Sequence, residues 1–258
     1  MHNLLAGKNG IISGLLDENS LAYHIALKCR EEGGKIVVTN TGIGARLGKV
    51  KEICQQWNVP FLQADLTLLQ DIDRLLDEAI SYFGGKIDFF LHSVAMSLNI
   101  RKNRDYCDLD YDFMQKTIDI SAISLHKFLS RCYKKDAIKE WGSVVTISYI
   151  ASQRTFPGYN DMSEAKAMLE AIVRNFGYYY GRKRKVRINA ISQSPTPTTA
   201  GSSIPGFDIF YKYAGDMSPL GNAPADACAN LCVFLFSDLS RYITMQTIYC
   251  DGGFHATG

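Results

Sequence analysis

Strand and helix signals alternate along all 258 residues of the chain, and this alternation limits the fold more than any other feature. Short apolar runs, many of them β-branched, lie at 10–13, 35–39, 59–63, 87–92, 143–147, 186–191 and 247–250. Such runs read as buried parallel strands. Longer amphipathic stretches fall between them, at 20–32, 45–57, 70–83, 159–180 and 224–236. The pattern predicts an α/β fold: a doubly wound, seven-stranded parallel sheet of the Rossmann type with helices on both faces. Hydrophobic residues make up 47% of the chain, enough for a sizeable core, and no repeat or Gly/Ser/Pro-rich linker divides it. Residues 1–258 are therefore expected to form one domain. Right-handed crossovers bring every strand's carboxyl end to one edge of the sheet, and ligands of such sheets bind there.

One segment departs from the alternation. Residues 194–219 carry Pro195, Pro197, Pro205 and Pro219, several Thr and Ser, and then the aromatics Phe207, Phe210, Tyr211 and Tyr213. A loop this long inside a compact domain is usually functional or mobile. A substrate lid is the preferred expectation; a surface insertion packed by its own aromatics is the alternative.

The nucleotide end is weakly marked. The first strand runs into Gly14, a loop and a helix beginning near Ser20. A helix N-terminus offers unpaired N–H groups and a positive dipole end to a pyrophosphate. The loop GLLDENSLA contains only Gly14, however, and is not GxGxxG; Asp17 suits a turn cap as well as a ligand contact. After the second strand, Thr39-Asn40-Thr41-Gly42 lacks the acidic residue that often meets ribose hydroxyls. Arg46 is placed either to meet a 2′-phosphate or to be solvated, so the choice between NADH and NADPH stays open. Asp65-Leu66 follows the third strand, where a carboxylate can accept from an adenine amino group or cap a turn. Ser93-Val94-Ala95 follows the fourth, where small residues let a ligand approach the backbone.

The reaction centre is marked more sharply. Residues 148–166 read SYIASQRTFPGYNDMSEAK, after the fifth strand and into a long helix. If the helix carries both Tyr159 and Lys166, their seven-residue spacing puts them on one face with a rise of about 10 Å between them. Tyr149, at the strand end, approaches the same cleft. Hydride addition to a conjugated carbonyl compound leaves an enolate oxygen, which needs a donor where the charge develops. A tyrosine hydroxyl with a reference pKa of about 10 donates without ionising, and a lysine ammonium can hold a nicotinamide ribose. An isolated Tyr would carry little weight among fourteen; the ordered set carries more.

Composition excludes several classes. A net charge of +2 does not point to nucleic acid. No apolar run is long enough for a bilayer, and MHNLLAGKNG lacks the pattern of a secretory signal. Seven scattered cysteines form no CxxC pair or Cys/His cluster, so reduced thiols in a cytoplasmic protein and no metal site are expected. Cys228 and Cys232, four apart, should share an apolar helix face. The basic run 181–187 (GRKRKVR) reads as a solvated helix end opposing the dipole, with an acidic partner's docking patch as the alternative.

Taken together, Ser20-Leu21-Ala22-Tyr23, Ser93-Val94-Ala95, Asp119-Ile120-Ser121, Tyr149 with Tyr159 and Lys166, and Asp251-Gly252-Gly253-Phe254 resemble the bacterial enoyl-acyl-carrier-protein reductases of fatty-acid synthesis. The likeness runs in order along nearly the whole chain, and Tyr-x9-Tyr-x6-Lys is its specific part. Ordinary short-chain dehydrogenases use Tyr-x3-Lys, and the position that spacing requires is Met162. The resemblance implies reduction of the double bond of trans-2-enoyl thioesters on acyl carrier protein by NADH, or NADPH. It implies that Tyr159 stabilises the enolate, Lys166 binds the nicotinamide ribose, and Tyr149 shapes or assists the acyl site. Gly14, Ser20, Leu21, Asp65, Leu66, Ser93, Val94, Ala95 and Thr198 would contact cofactor; Ala95 and Met96, with the two tyrosines, would contact substrate. It also implies a homotetramer with the C-terminal strand near an interface, and a loop at 199–217 that orders over the acyl chain. Three positions depart from the family's glycines: His24, Ala95 and Ser194. A carbonyl or alcohol dehydrogenase, and a non-catalytic nucleotide-binding sensor, are the competing expectations.

Overall fold

A computed structural model describes residues 2–257, apart from the side chain of Ser203. Seven strands form one parallel sheet: β1 (Asn9–Ser13), β2 (Lys35–Asn40), β3 (Phe61–Gln63), β4 (Ile87–His92), β5 (Ile138–Ser148), β6 (Arg187–Gln193) and β7 (Thr247–Cys250). Their order is β3-β2-β1-β4-β5-β6-β7. Between and after them run α1 (Leu21–Glu31), α2 (Gly42–Leu47), α3 (Val50–Trp57), α4 (Leu69–Phe83), α5 (Leu98–Arg101), α6 (Tyr111–Ile118), α7 (Ser124–Lys135), α8 (Met162–Arg184), α9 (Phe207–Met217) and α10 (Ala225–Phe236).

Adjacent residues on the strands go to opposite cores, as the two-residue period of a strand requires. Ile11, Val37, Phe90 and Val144 pack with α4, α7 and α8. Their neighbours Ile12, Val38, Phe89 and Val145 pack with α1, α3 and α10. This explains why the strands read as continuous apolar runs. Cys228 and Cys232 are both fully buried in the second core, as their spacing predicts. The order turns about β1, which lies between β2 and β4. The gap between the carboxyl ends of β1 and β4 is the switch point at which ligands of such sheets bind.

Several boundaries differ from expectation. The stretch 45–57 is two helices, broken at Gly48: a Cβ there would lie 2.3 Å from the Leu16 carbonyl oxygen, and Lys49 N–H donates to that same oxygen at 2.8 Å. Strand β5 starts five residues earlier than the apolar run, through a register shift opposite Ile87 and Phe89, and includes Lys139 and Glu140. The basic run divides. Arg182, Lys183 and Arg184 occupy the last turn of α8, where cations oppose the dipole. Arg187, by contrast, is 2% exposed and donates to the carbonyls of Leu235, Ser237 and Ser240. Burial brings its pKa down to about 10. Among the described residues, no helix is long and apolar enough to cross a membrane.

Candidate active site

A cavity of about 570 Å³ runs along the carboxyl edge of the sheet. At its nucleotide end, β1 and β4 come so close that residue 14 must be glycine. Its φ is +85°, and a Cβ would lie 1.9 Å from the Ser93 carbonyl oxygen. Asp17 caps the next turn by accepting from Asn19 N–H at 3.0 Å. Its other oxygen accepts from the Thr199 hydroxyl at 2.6 Å, which ties the 194–219 segment to the nucleotide loop. Ser20 stands at the N-terminus of α1, its hydroxyl turned to the Asp17 carbonyl at 2.7 Å rather than to the helix. The first N–H groups of α1 therefore face outward without a side-chain cap, as an anion site requires. Asp65 lines the cavity and also caps its own turn, accepting from Thr67 N–H and hydroxyl at 2.9 and 2.7 Å. Asn40, Thr41, Ile43 and Leu47 line the outer end, whereas Arg46 is exposed and outside it. The basic side chains among the described lining residues are Arg101 and Lys166.

At the other end, the residue after β5 is Tyr149, the turn before α8 carries Tyr159, and the first turns of α8 carry Lys166. Tyr159 is not on the helix. α8 begins at Met162, with Asp161 as its cap residue. The chain before it is turned by Gly158 (φ +82°) and Asn160 (φ +44°). A common helix face and a helical rise therefore do not set the Tyr159–Lys166 geometry. Contacts distant in sequence hold the turn instead. Asn160 Nδ2 donates to the Arg104 carbonyl at 2.7 Å. The fully buried Asp161 carboxylate accepts from Ser97 Oγ at 2.6 Å and Asn99 Nδ2 at 2.8 Å.

The two tyrosine rings lie 5.0 Å apart, and Phe156 packs on Tyr149 at 5.3 Å. Tyr149 is 8% exposed, and its buried hydroxyl has no hydrogen-bond partner among the described residues. Burial pushes both phenols well above their ordinary pKa, so they are neutral donors at pH 7. Lys166, 5% exposed, donates to the Ile147 carbonyl at 2.7 Å. Burial brings its pKa down to about 8. His92 lies in the layer beneath, hydrogen-bonded to Thr146 Oγ1 and Ser124 Oγ. Burial and then the Lys166 charge hold it neutral, with a pKa near 3.

Every site residue expected from the sequence lines this one cavity: Gly14, Ser20, Leu21, Asp65, Leu66, Ser93, Val94, Ala95, Met96, Tyr149, Tyr159, Lys166 and Thr198. The 194–219 segment is only partly a loop, since α9 occupies its second half. Phe207 packs on Phe210 and Tyr211, as an insertion held by its own aromatics would. Thr198, Ile204, Phe207 and Phe210 also line the cavity, as a lid would. Sequence reading missed the lining residues Thr41, Ile120, Met162 and Gln193. Of these, Thr41 had a local signal, as an N-cap accepting from Gly44 N–H, and Ile120 lies inside the Asp119-Ile120-Ser121 motif. Of the departures from glycine, His24 pairs with Asp226 at 2.7 Å across α1 and α10, and Ser194 accepts from Ala223 N–H at 2.9 Å.

A family profile described as enoyl-(acyl carrier protein) reductase matches residues 14–255. The chain belongs to this family. It is 33% identical over 260 residues to an enoyl-[acyl-carrier-protein] reductase [NADH] of Rhizobium meliloti, covering 100% of this chain and 95% of that one. Its fold is also similar to the crystal structure of a FabI–NADH complex from Alistipes finegoldii. There the TM-score is 0.98 at 54% identity, over 99% of this chain and 90% of that one. For the NADH-named reductase structure from Aquifex aeolicus the TM-score is 0.90 at 30% identity, with 99% of each chain covered. Met162, where a Tyr-x3-Lys dehydrogenase has its acid, is buried at the start of α8.

Proposed function

We propose that the chain reduces the carbon–carbon double bond of trans-2-enoyl thioesters on acyl carrier protein, with NADH as reductant, at the end of each round of fatty-acid elongation. The observation that carries this reading is the pairing of Tyr149 and Tyr159 in the cavity that Lys166 also lines, in a chain of the enoyl reductase family.

The residues present fit a dinucleotide. The close Gly14–Ser93 approach and the uncapped start of α1 suit a pyrophosphate. Asp65 and Leu66 would meet the adenine. Ser93, Val94, Ala95 and Thr198 would lie along the ribose and nicotinamide. Among the described residues no basic side chain lines the outer end, which favours NADH over NADPH. When bound, NADH supplies the hydride for the β-carbon of the enoyl group.

The chain's own groups then act on the charge that moves to the thioester oxygen. Tyr159 donates its hydroxyl proton in a hydrogen bond to that oxygen, strengthening as the charge grows. Tyr149, whose hydroxyl has no protein partner, is free to turn to the same oxygen or to bound acyl chain. Lys166 holds the nicotinamide ribose and adds positive potential. Ala95 and Met96 pack against the acyl group, and residues 194–219 close over it. Residues 1–258 act as one domain. The half-exposed edge strand β7 suits assembly into a homotetramer, and seven free cysteines suit a reducing cytoplasm.

Loss of nicotinamide absorbance tests the reading, with crotonyl and longer enoyl carrier-protein thioesters, in parallel with NADH and NADPH. Turnover of enoyl thioesters with NADH is expected. Turnover of ketones but not enoyl thioesters would overturn it in favour of a carbonyl dehydrogenase, and cofactor binding with no turnover in favour of a sensor.

A further inference from the structure

The reaction end buries two opposite charges one helical turn apart. Lys166 and Glu170 both lie on α8 and are 5% and 4% exposed. Residues four apart on a helix are neighbours on its surface. Neither forms an ion pair within 4.0 Å among the described residues, as both heads are held by neutral groups. Lys166 Nζ donates to the Ile147 carbonyl at 2.7 Å. Glu170 Oε1 accepts from Ser148 Oγ at 2.6 Å and Ser152 Oγ at 2.7 Å, and Oε2 accepts from Gln153 Nε2 at 3.4 Å. Three donors and no cation form a cradle matched to a carboxylate that only accepts. The two serines also bracket Tyr149 in sequence, so the same carboxylate ties down the turn that carries it.

The other titratable groups around Lys166 are His92, from β4, and Tyr149 and Tyr159, which line the same cavity. All three are neutral at pH 7. Of the carboxylates buried at this end, Asp161 accepts from Ser97 and Asn99, and Glu170 is the one that acts on the lysine. Its charge opposes the effect of burial on Lys166.

We infer that Glu170 is a positioning residue for the reaction: held one helical turn from Lys166, it keeps the lysine an ammonium, and it fixes the Tyr149 turn through Ser148 and Ser152. The inference rests on the reading of Lys166 as the group that holds the nicotinamide ribose. A neutral amine would lose both the charge and one donor in that role.

The test is the pH profile of kcat/KM for NADH, which reports groups of the free enzyme. It is run on the full-length protein as wild type, Glu170→Gln, Glu170→Asp and Lys166→Ala. The wild-type profile falls on the alkaline side near pH 8. In Glu170→Gln this fall moves about one pH unit lower, the shift expected on losing a nearby opposite charge. In Glu170→Asp, which keeps the charge, it stays with the wild type. A purely structural Glu170 would lower activity at every pH without moving the limb. The inference is overturned if the Gln variant's limb coincides with the wild type's, or if the Asp variant's limb moves as far as the Gln variant's. Should Glu170→Gln not fold, Ser152→Ala tests the second part of the inference: it keeps the carboxylate charge, so the limb stays with the wild type, while the loosened Tyr149 turn lowers kcat on the enoyl thioester several-fold. An unchanged kcat overturns the inference. If Lys166→Ala uses NADH as well as the wild type does, the underlying reading of the lysine fails instead.

Discussion

The two ends of the cavity are built on different principles. At the nucleotide end the shape comes from main chain and small residues: the β1–β4 approach at Gly14, the uncapped start of α1, and turns capped by Asp17 and Asp65. At the reaction end it comes from buried side chains. Lys166, Glu170, Asp161 and His92 are each 5% exposed or less and held by named partners. A main-chain site constrains size more than residue identity. A site of buried polar side chains constrains identity, because an unmatched partner there costs free energy.

That contrast can be broken or sharpened by substitution. The largest effect is expected from Lys166→Ala, which should lower kcat/KM for NADH and enoyl thioester by about 10³-fold, as loss of a charged stabilising group does. Steady-state kinetics at neutral pH measure this. At the nucleotide end, Gly14→Ala should cost about 2–3 kcal/mol in thermal or urea unfolding and raise the Kd for NADH, since a Cβ collides with Ser93 and is strained at φ +85°. If Gly14→Ala instead changes kcat at saturating NADH, the two ends are not separable. Arg187→Met lies outside both ends. It should cost about 2 kcal/mol of stability by removing one donor from each of the Leu235, Ser237 and Ser240 carbonyls, and leave kcat and KM unchanged. The smallest effect is expected for Asp17→Ala. Loss of its bond to Thr199 should raise KM by only a few-fold, in line with a partly exposed contact of about 0.5–1 kcal/mol.

A pH scan separates catalysis from stability at Lys166. Its folded pKa, about 8, lies below the ordinary 10.5. The unfolded chain therefore binds more protons between those values, and this group's contribution to stability rises with pH through that window. Activity should fall above about pH 8 while the Lys166 contribution to stability grows. A melting temperature that tracks the loss of activity, point for point, would argue that the alkaline limb reports unfolding.

The contrast also explains what could be read before the fold was known. The strands were legible because both faces of the sheet are covered, so each strand is apolar throughout. The first half of β5 was not, because Lys139 and Glu140 interrupt the run at a register shift. The break at Gly48 depends on Leu16, far off in sequence. The proposed reaction residues were legible as an ordered set, but their geometry was not. The pattern from Tyr159 onward continues a helical period, yet Arg104, Ser97 and Asn99 pull residues 160 and 161 out of the helix. Glu170 could have been found by asking what stands four residues beyond a buried lysine.

The most direct test of the account is the turnover of Tyr159→Phe on an enoyl carrier-protein thioester at saturating NADH, with the Kd for NADH measured alongside. The account predicts a fall in kcat of about 10²–10³-fold with NADH binding unchanged. A kcat within about twofold of the wild type, well under the loss expected for one oxyanion donor, would contradict it.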